Sequence, residues 1–422
     1  MSQVIIIGGG AAGMAAALAA SEQGHQVDLY EKNEKLGKKI YITGKGRCNL
    51  TNACDPEEFF SHICTNPKFM YSSFYECTNA DVIRFFETHG MKTKTERGNR
   101  VFPVSDHASD VIRALSDEMR RRGVRIHLRE EVREICTCEE NGETRVRGIR
   151  VDGEKEIIPA DSVIIATGGL SYPSTGSTGD GYRFAKETGH RVTDLSPSLV
   201  PMNTAEDDAP MMQGLSLKNV SVRICDGKKI LYQDFGELMF THFGVTGPLI
   251  LTASTKVQKQ LSDHPLQLDI DLKPALDDAA LDARFVREFE AAPNKALKNI
   301  FGKIYPARMI PVILKRAGLP GDKAAHDVTR EERRRLLEVT RCLTFTLTSL
   351  RGFAEAVITR GGVNVRDIDP RTMESKLIRG LHFAGEVLDV DAVTGGFNLQ
   401  IAWSTGTAAG RGIRMTNDND HR

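Results

Sequence analysis

No run of apolar residues in this 422-residue chain approaches the roughly 20 that cross a bilayer, so no membrane span is expected. Net charge is absent as well. The 56 Lys and Arg offset 56 Asp and Glu, and charge alone makes no case for nucleic acid, membrane or acidic substrate. The eight cysteines lack zinc spacing: a single residue separates Cys136 from Cys138, and no metal site is expected. Aromatic residues are only 6% of the chain, too sparse among the basic segments for stacking on single-stranded bases. Ser2 and Gln3 lead straight into VIIIGGG, with no basic segment and no small-residue cleavage site. A cytoplasmic protein with reduced thiols is the expectation.

What is present starts at Gln3. QVIII reads as a buried strand, and Gly8, Gly10 and Gly13 follow as G-x-G-x-x-G inside GGGAAGMAAALAA. The first glycine permits a tight turn, the second lets backbone approach a pyrophosphate, and the third lets helix and strand pack closely. The alanine-rich stretch is a strong helix former whose N-terminus, with Ala11 and Ala12, offers N–H groups to phosphate. QVDLYE is the second strand. It ends at Glu31, 18 residues after Gly13, where a carboxylate suits ribose hydroxyls. Strand, glycines, helix, strand and acid together indicate a dinucleotide site. A second such unit is missing: GSTGDG, residues 176–181, follows no suitable strand, so a separate nicotinamide domain is not expected.

Two further segments return to the same sheet. VIIA, ending at Ala166, runs into Thr167, Gly168 and Gly169. Near the other end, a short strand from Leu381 to Ala384 precedes Gly385 and Glu386. A loop with Gly395 and Gly396 then opens a helix near Asn398. A Gly-acid pair at a strand end can reach ribityl or ribose hydroxyls, and a helix N-terminus favours an anion such as that of a reduced flavin. Between these segments, NVSVRICDGKKILYQDFGELMFTHFGVTGPLIL alternates like a small β-barrel. From about Ala279 to Thr340 the pattern is helical, broken at Pro293, Pro306, Pro311 and Pro320. Residues 284–341 carry 14 Lys/Arg against 7 Asp/Glu, densest in ERRRLLE, and such a lobe can meet a phosphate backbone.

GKGRCNLTNAC places Cys48 and Cys54 near the dinucleotide loop, as if they were a redox pair. Five residues separate them, and Asn49, Thr51, Asn52 and Asp55-Pro56 favour turns over the helix that carries such pairs. The segment reads instead as a cradle in which Lys45, Arg47 and backbone N–H groups face phosphate or the flavin edge.

GGGAAGMAAALAA, TGKGRCNLTN, ATGG and HFAGEVLDVDAVTGGFNLQIAWSTG together resemble the BaiN-like group of bacterial NAD(P)/FAD-dependent oxidoreductases, in an order that covers nearly the whole chain. The resemblance implies an α/β architecture. A Rossmann-type FAD-binding domain is built from both chain ends (1–192 and 344–422), with an inserted β-barrel-like domain (193–278) and helical subdomain (279–343). By position it implies that Gly8, Gly10, Ala11, Ala12, Gly13, Glu31 and Lys32 hold the ADP half of FAD, joined by Val132 and by Thr167, Gly168 and Gly169. Gly44, Arg47, Cys48 and Asn49 lie near pyrophosphate or flavin. Gly385, Glu386, Asn398, Leu399, Gln400 and Ile401 hold the ribityl chain and ring. It also implies NADH or NADPH as donor and reduction of a carbonyl-conjugated C=C bond, either in a uridine of large-subunit ribosomal RNA or in a steroid-type enone. A flavin oxidase or disulfide reductase, and a flavin-stabilised RNA-binding protein without turnover, are the alternatives. His242 in MFTHFGVTGP is the expected proton donor, with Tyr172 as the other candidate.

Overall fold

The computed structural model describes residues 1–414. The chain forms two compact units, one from Met1–Pro197 with the residues from Ala356 onward, the other Ser198–Glu355.

The first unit is built on five strands: β1 (Gln3–Ile7), β2 (Gln26–Glu31), β3 (Arg125–Leu128), β4 (Ser162–Ile165) and β5 (Leu381–Phe383). They form one parallel sheet in the order β5-β4-β1-β2-β3, with Ile7 opposite Ile165 and Tyr30. Parallel strands covered on both faces need unbroken apolar runs, which VIII and VII supply. β5 pairs with β4 in parallel, so the two chain ends share one sheet. The helix α1 (Ala11–Glu22) is apolar on every side and buried from Ala12 to Ala20. It packs on the C-terminal helix, Phe397–Arg411, through small residues. A Cβ on Gly406 would lie 2.3 Å from the Ala12 carbonyl oxygen, and one on Gly410 would lie 2.4 Å from that of Ala16. Only hydrogen side chains allow that approach.

The second unit contains a closed six-stranded barrel. Its strands follow one another around the barrel as Met202–Thr204, Gly244–Thr246, Lys229–Phe240, Ser216–Asp226, Leu266–Asp271 and Leu343–Leu350. Helices Asp278–Glu290, Ile310–Ala317 and Arg330–Arg341 share a hydrophobic core with it, built from residues such as Leu268, Phe285, Ile313, Leu336 and Phe345.

Three sequence expectations shift here. The insertion runs from Ser198 to Glu355 rather than 193 to 343, because the strand Leu343–Leu350 closes the barrel after the helices. Pro311 does not break a helix; it sits in the first turn of Ile310–Ala317, where a missing N–H costs nothing. Asp55-Pro56 likewise starts a helix, Pro56–Ser61, whose N-cap Asp55 accepts from the Glu58 N–H.

Candidate functional site

The glycine loop between β1 and α1 is shaped by close approach. Gly8 has a left-handed backbone (φ +106°), and a Cβ there would lie 2.5 Å from the Ala166 carbonyl oxygen. A Cβ on Gly13 would come within 1.8 Å of the Gly8 oxygen. At Gly10 the reverse holds: an added Cβ meets nothing within 4 Å, and no side chain caps α1. The first turn, Ala11 to Gly13, therefore presents N–H groups to open space. Beneath the loop, Glu31 is fixed at the end of β2. Its Oε2 accepts from the Gly9 N–H (2.8 Å) and its Oε1 from the backbone and side chain of Asn33 (2.8 and 2.6 Å). Lys32 turns away to Asp180 (2.5 Å) and Thr178 (2.6 Å). The stretch leading to Val132 runs beside this end of β2, with the Glu130 N–H donating to the Glu31 carbonyl; Val132 itself is buried.

Past β4, the Thr167 hydroxyl is buried without a hydrogen bond, as is Oδ1 of Asn49. Gly168 takes a left-handed turn (φ +73°), and Gly169 presses against Thr359 and Glu386. Glu386 is the centre of a polar cluster. It receives Lys39 Nζ (2.5 Å), Ser171 Oγ (2.5 Å) and the Thr359 N–H (2.9 Å). Lys39, Ser171 and Thr359 escaped the sequence reading. Lys39 could have been noticed as a cation between Gly37 and Gly44 beside the dinucleotide motif; Thr359 carried no comparable signal. Gly385 donates its N–H to the Thr405 hydroxyl (2.9 Å) and lies against Ala12, which joins the C-terminal segment to the first turn of α1.

At the head of the C-terminal helix, Gly396 is left-handed and no side chain caps the helix. The Asn398 side chain clamps Ala392 at both N–H and carbonyl (2.9 and 2.8 Å), so it shapes the preceding loop. Gln400 is fully buried and bonded to Thr51, Cys77 and Ser404; Ile401 is buried and Leu399 half-buried. What this helix offers a ligand is the backbone of its first turn.

In the TGKGRC loop, Gly44 lies against the Asn49 backbone. The Arg47 guanidinium stacks 4.1 Å from the Phe102 ring and pairs with Glu96 and with Asp106 (2.7 Å), so its charge is already met by two carboxylates. Cys48 and Cys54 are buried free thiols. Burial pushes the Cys48 thiol up to about 12 and the Cys54 thiol up to about 11. A disulfide-exchange centre needs a thiolate, and burial suppresses both. Cys54→Ser is accordingly expected to turn over at near the parental rate. A thousand-fold loss with a thiolate–flavin charge-transfer band would restore the redox pair.

His242 belongs to the Ser198–Glu355 unit, exposed, with its ring 4.9 Å from Phe243. Tyr172 lies in the first unit, next in the chain to Ser171 of the Glu386 cluster. Of the arginines in ERRRLLE, Arg333 is paired with Asp282 (2.5 Å) and Arg335 donates to the Ala317 carbonyl (3.0 Å), while Arg334 is exposed.

Residues 2–412 match the family described as HI0933-like protein Rossmann domain. The chain belongs to this family. It is an FAD-dependent oxidoreductase of the BaiN group that its motifs resemble. It is 32% identical over 415 residues to a 3-dehydro-bile acid delta(4,6)-reductase of Clostridium scindens, covering 97% of this chain and 98% of that one. It is 30% identical over 415 residues to a ribosomal RNA dihydrouridine synthase of Haemophilus influenzae, covering 98% of each, and 30% identical over 411 residues to that of Escherichia coli, covering 97% of each. Among solved structures, the fold resembles a 3-ketosteroid delta1-dehydrogenase of Sterolibacterium denitrificans, with a TM-score of 0.55 at 13% identity. That match covers 97% of this chain and 98% of the other. No helix among the described residues is long and apolar enough to cross a membrane.

Proposed function

We propose that the protein reduces a carbonyl-conjugated C=C bond, with NADH or NADPH as donor, and that its substrate is a uridine of large-subunit ribosomal RNA. The observation that carries C=C reduction is the joint likeness, at about equal identity over nearly the whole chain, to relatives whose names describe saturation of such a bond. Uracil and a steroid enone pose one chemical problem: an alkene conjugated to a carbonyl gains a hydride at the far carbon and a proton at the near one.

The residues fit an FAD. The open first turn of α1, the uncapped head of the C-terminal helix, and the unpartnered buried atoms of Thr167 and Asn49 are features that a bound dinucleotide would satisfy. When bound, FAD supplies hydride transfer between nicotinamide and alkene. Gly8, Gly10, Ala11, Ala12 and Gly13 would cradle the pyrophosphate, with Glu31, Lys32 and Val132 at the adenosine end and Thr167, Gly168 and Gly169 beside it. Gly44, Arg47, Cys48 and Asn49 would line the loop. Gly385, Glu386 and the first turn from Asn398 and Leu399 to Gln400 and Ile401 would face the ribityl chain and ring. Glu386 is set in place for this by Lys39. His242 is the proposed proton donor: it is exposed, and no protein hydrogen bond to its ring is present among the described residues. Tyr172 is the second choice.

Uridine in RNA is favoured by the basic helical stretch, in which Lys295, Lys298, Arg330 and Arg334 are exposed. The enone reading is favoured by the 32% identity to the bile acid reductase. A cytoplasmic location belongs to the same proposal. Reduced anaerobically with NADH or NADPH, the flavin is expected to be reoxidised by a uridine-containing ribosomal RNA fragment faster than by a 3-keto-4-ene steroid or by oxygen. Reoxidation by the steroid alone would select the enone, and rapid reoxidation by oxygen alone would select an oxidase.

A further inference from the structure

Arg360, Asp389 and Asp391 gather where the strand Ile358–Arg360 meets the loop before Gly395. Asp391 is 1% exposed, yet neither of its carboxylate oxygens receives a hydrogen bond. Arg360 places Nε 3.8 Å from Oδ1, near enough for attraction and too far for a hydrogen bond. The surrounding backbone is otherwise satisfied. The Asp391 carbonyl accepts from the N–H groups of Cys64 and Thr65, Ala392 is clamped by Asn398, and the Asp389 N–H donates to Val363. Burial, reinforced by the neighbouring Asp391, holds the Asp389 carboxyl above its usual range. A buried carboxylate without donors is costly, and one left so amid paired neighbours points to a donor that arrives with a ligand.

The group borders the flavin site on two sides. Thr359, next to Arg360, bonds Glu386 through its N–H and receives the Ser171 N–H at its hydroxyl. Ala392, next to Asp391, is held by the second residue of the C-terminal helix. We propose that Asp391 and Arg360 form a receptor for the edge of a cyclic imide, Asp391 accepting from the ring N–H and Arg360 donating to the carbonyl beside it. This deepens the proposed function and rests on its flavin site. Two molecules there carry such an edge: the flavin's own pyrimidine ring and the uracil base of the substrate. A steroid enone carries a carbonyl and no N–H, so with a steroid substrate only the flavin could fill the receptor.

Methylation of the imide nitrogen tests this on the unaltered protein. Apoprotein is titrated with FAD and with N3-methyl-FAD; holoprotein is titrated with a ribosomal RNA oligonucleotide containing uridine or 3-methyluridine at the modified position. One methylated ligand is expected to bind about tenfold or more weaker than its parent, with the gap shrinking to below about twofold in Asp391→Ala and in Asp391→Leu, neither of which can accept from the ring N–H. Loss confined to the flavin assigns the edge to the cofactor; loss confined to the oligonucleotide assigns it to the substrate. Equal binding of both methylated ligands, or a gap that persists in folded Asp391 variants, overturns the proposal. If the holoprotein neither binds nor reduces uridine, the proposed substrate fails and the FAD titration still decides the receptor.

Discussion

Gly13→Ala is expected to yield protein that holds no FAD and melts well below the parent. The new methyl would sit 1.8 Å from the Gly8 carbonyl oxygen, a contact that no rotamer relieves because both partners are fixed close to the backbone. α1 must move off β1. Overpacking alone costs about 1–3 kcal/mol, and the helix N-terminus leaves the position that pyrophosphate requires, so FAD affinity should fall more than about a hundredfold. Gly10→Ala is the matched control. Its methyl meets no protein atom within 4 Å, so the melting temperature of the apoprotein should hold while FAD binding weakens, because the open space is the proposed approach of the cofactor. Thermal melts and FAD titrations of both variants check this. Gly13→Ala with parental FAD content would show that the loop is not packed as described, and Gly10→Ala with undiminished affinity would place the cofactor elsewhere.

Lys39→Met should be the most damaging single change in the polar cluster. It leaves Glu386, with 12% of its side chain exposed, without its only charged partner among the described residues. Breaking a buried pair costs about 3–5 kcal/mol; Lys39 is 23% exposed, and solvent screening reduces the figure to about 2 kcal/mol. The second variant, Lys39→Met with Glu386→Gln, removes the stranded charge and should recover most of the lost stability, though not the FAD affinity proposed to depend on Glu386. Urea unfolding of the two apoproteins, alongside FAD titration, separates the effects. Equal stabilities for the single and double variants would mean that Glu386 finds solvent or another donor, and that Lys39 does not hold it in place.

The sheet and the glycine loops at its edge were legible because their signals are local. G-x-G-x-x-G needs its neighbours within one strand–helix unit, and QVIII and VIIA are buried on both faces, so their apolar runs are unbroken. The pairing of β5 with β4 was legible only through the order of motifs, since nothing within Leu381–Phe383 names its partner. The last barrel strand was misplaced for the same reason. LTFTLTSL alternates as any strand does, and its membership is set by pairing with Leu266–Asp271 across 71 intervening and mostly helical positions, between Asp271 and Leu343 in sequence. Lys39 and Thr359 were missed because their role is to position Glu386, and only the folded chain brings residues 39, 171, 359 and 386 together. Arg333 and Arg335 looked available for phosphate in the run of arginines, and the fold turns both inward to protein acceptors.

The most direct measurement of the central claim is a nucleoside analysis of large-subunit ribosomal RNA from cells lacking this protein and from the same cells re-expressing it. Loss of dihydrouridine at a defined site is expected on deletion, with restoration by the parent chain and no restoration by the FAD-free Gly13→Ala variant. Unchanged dihydrouridine in the deleted cells would contradict the assignment of ribosomal RNA as substrate.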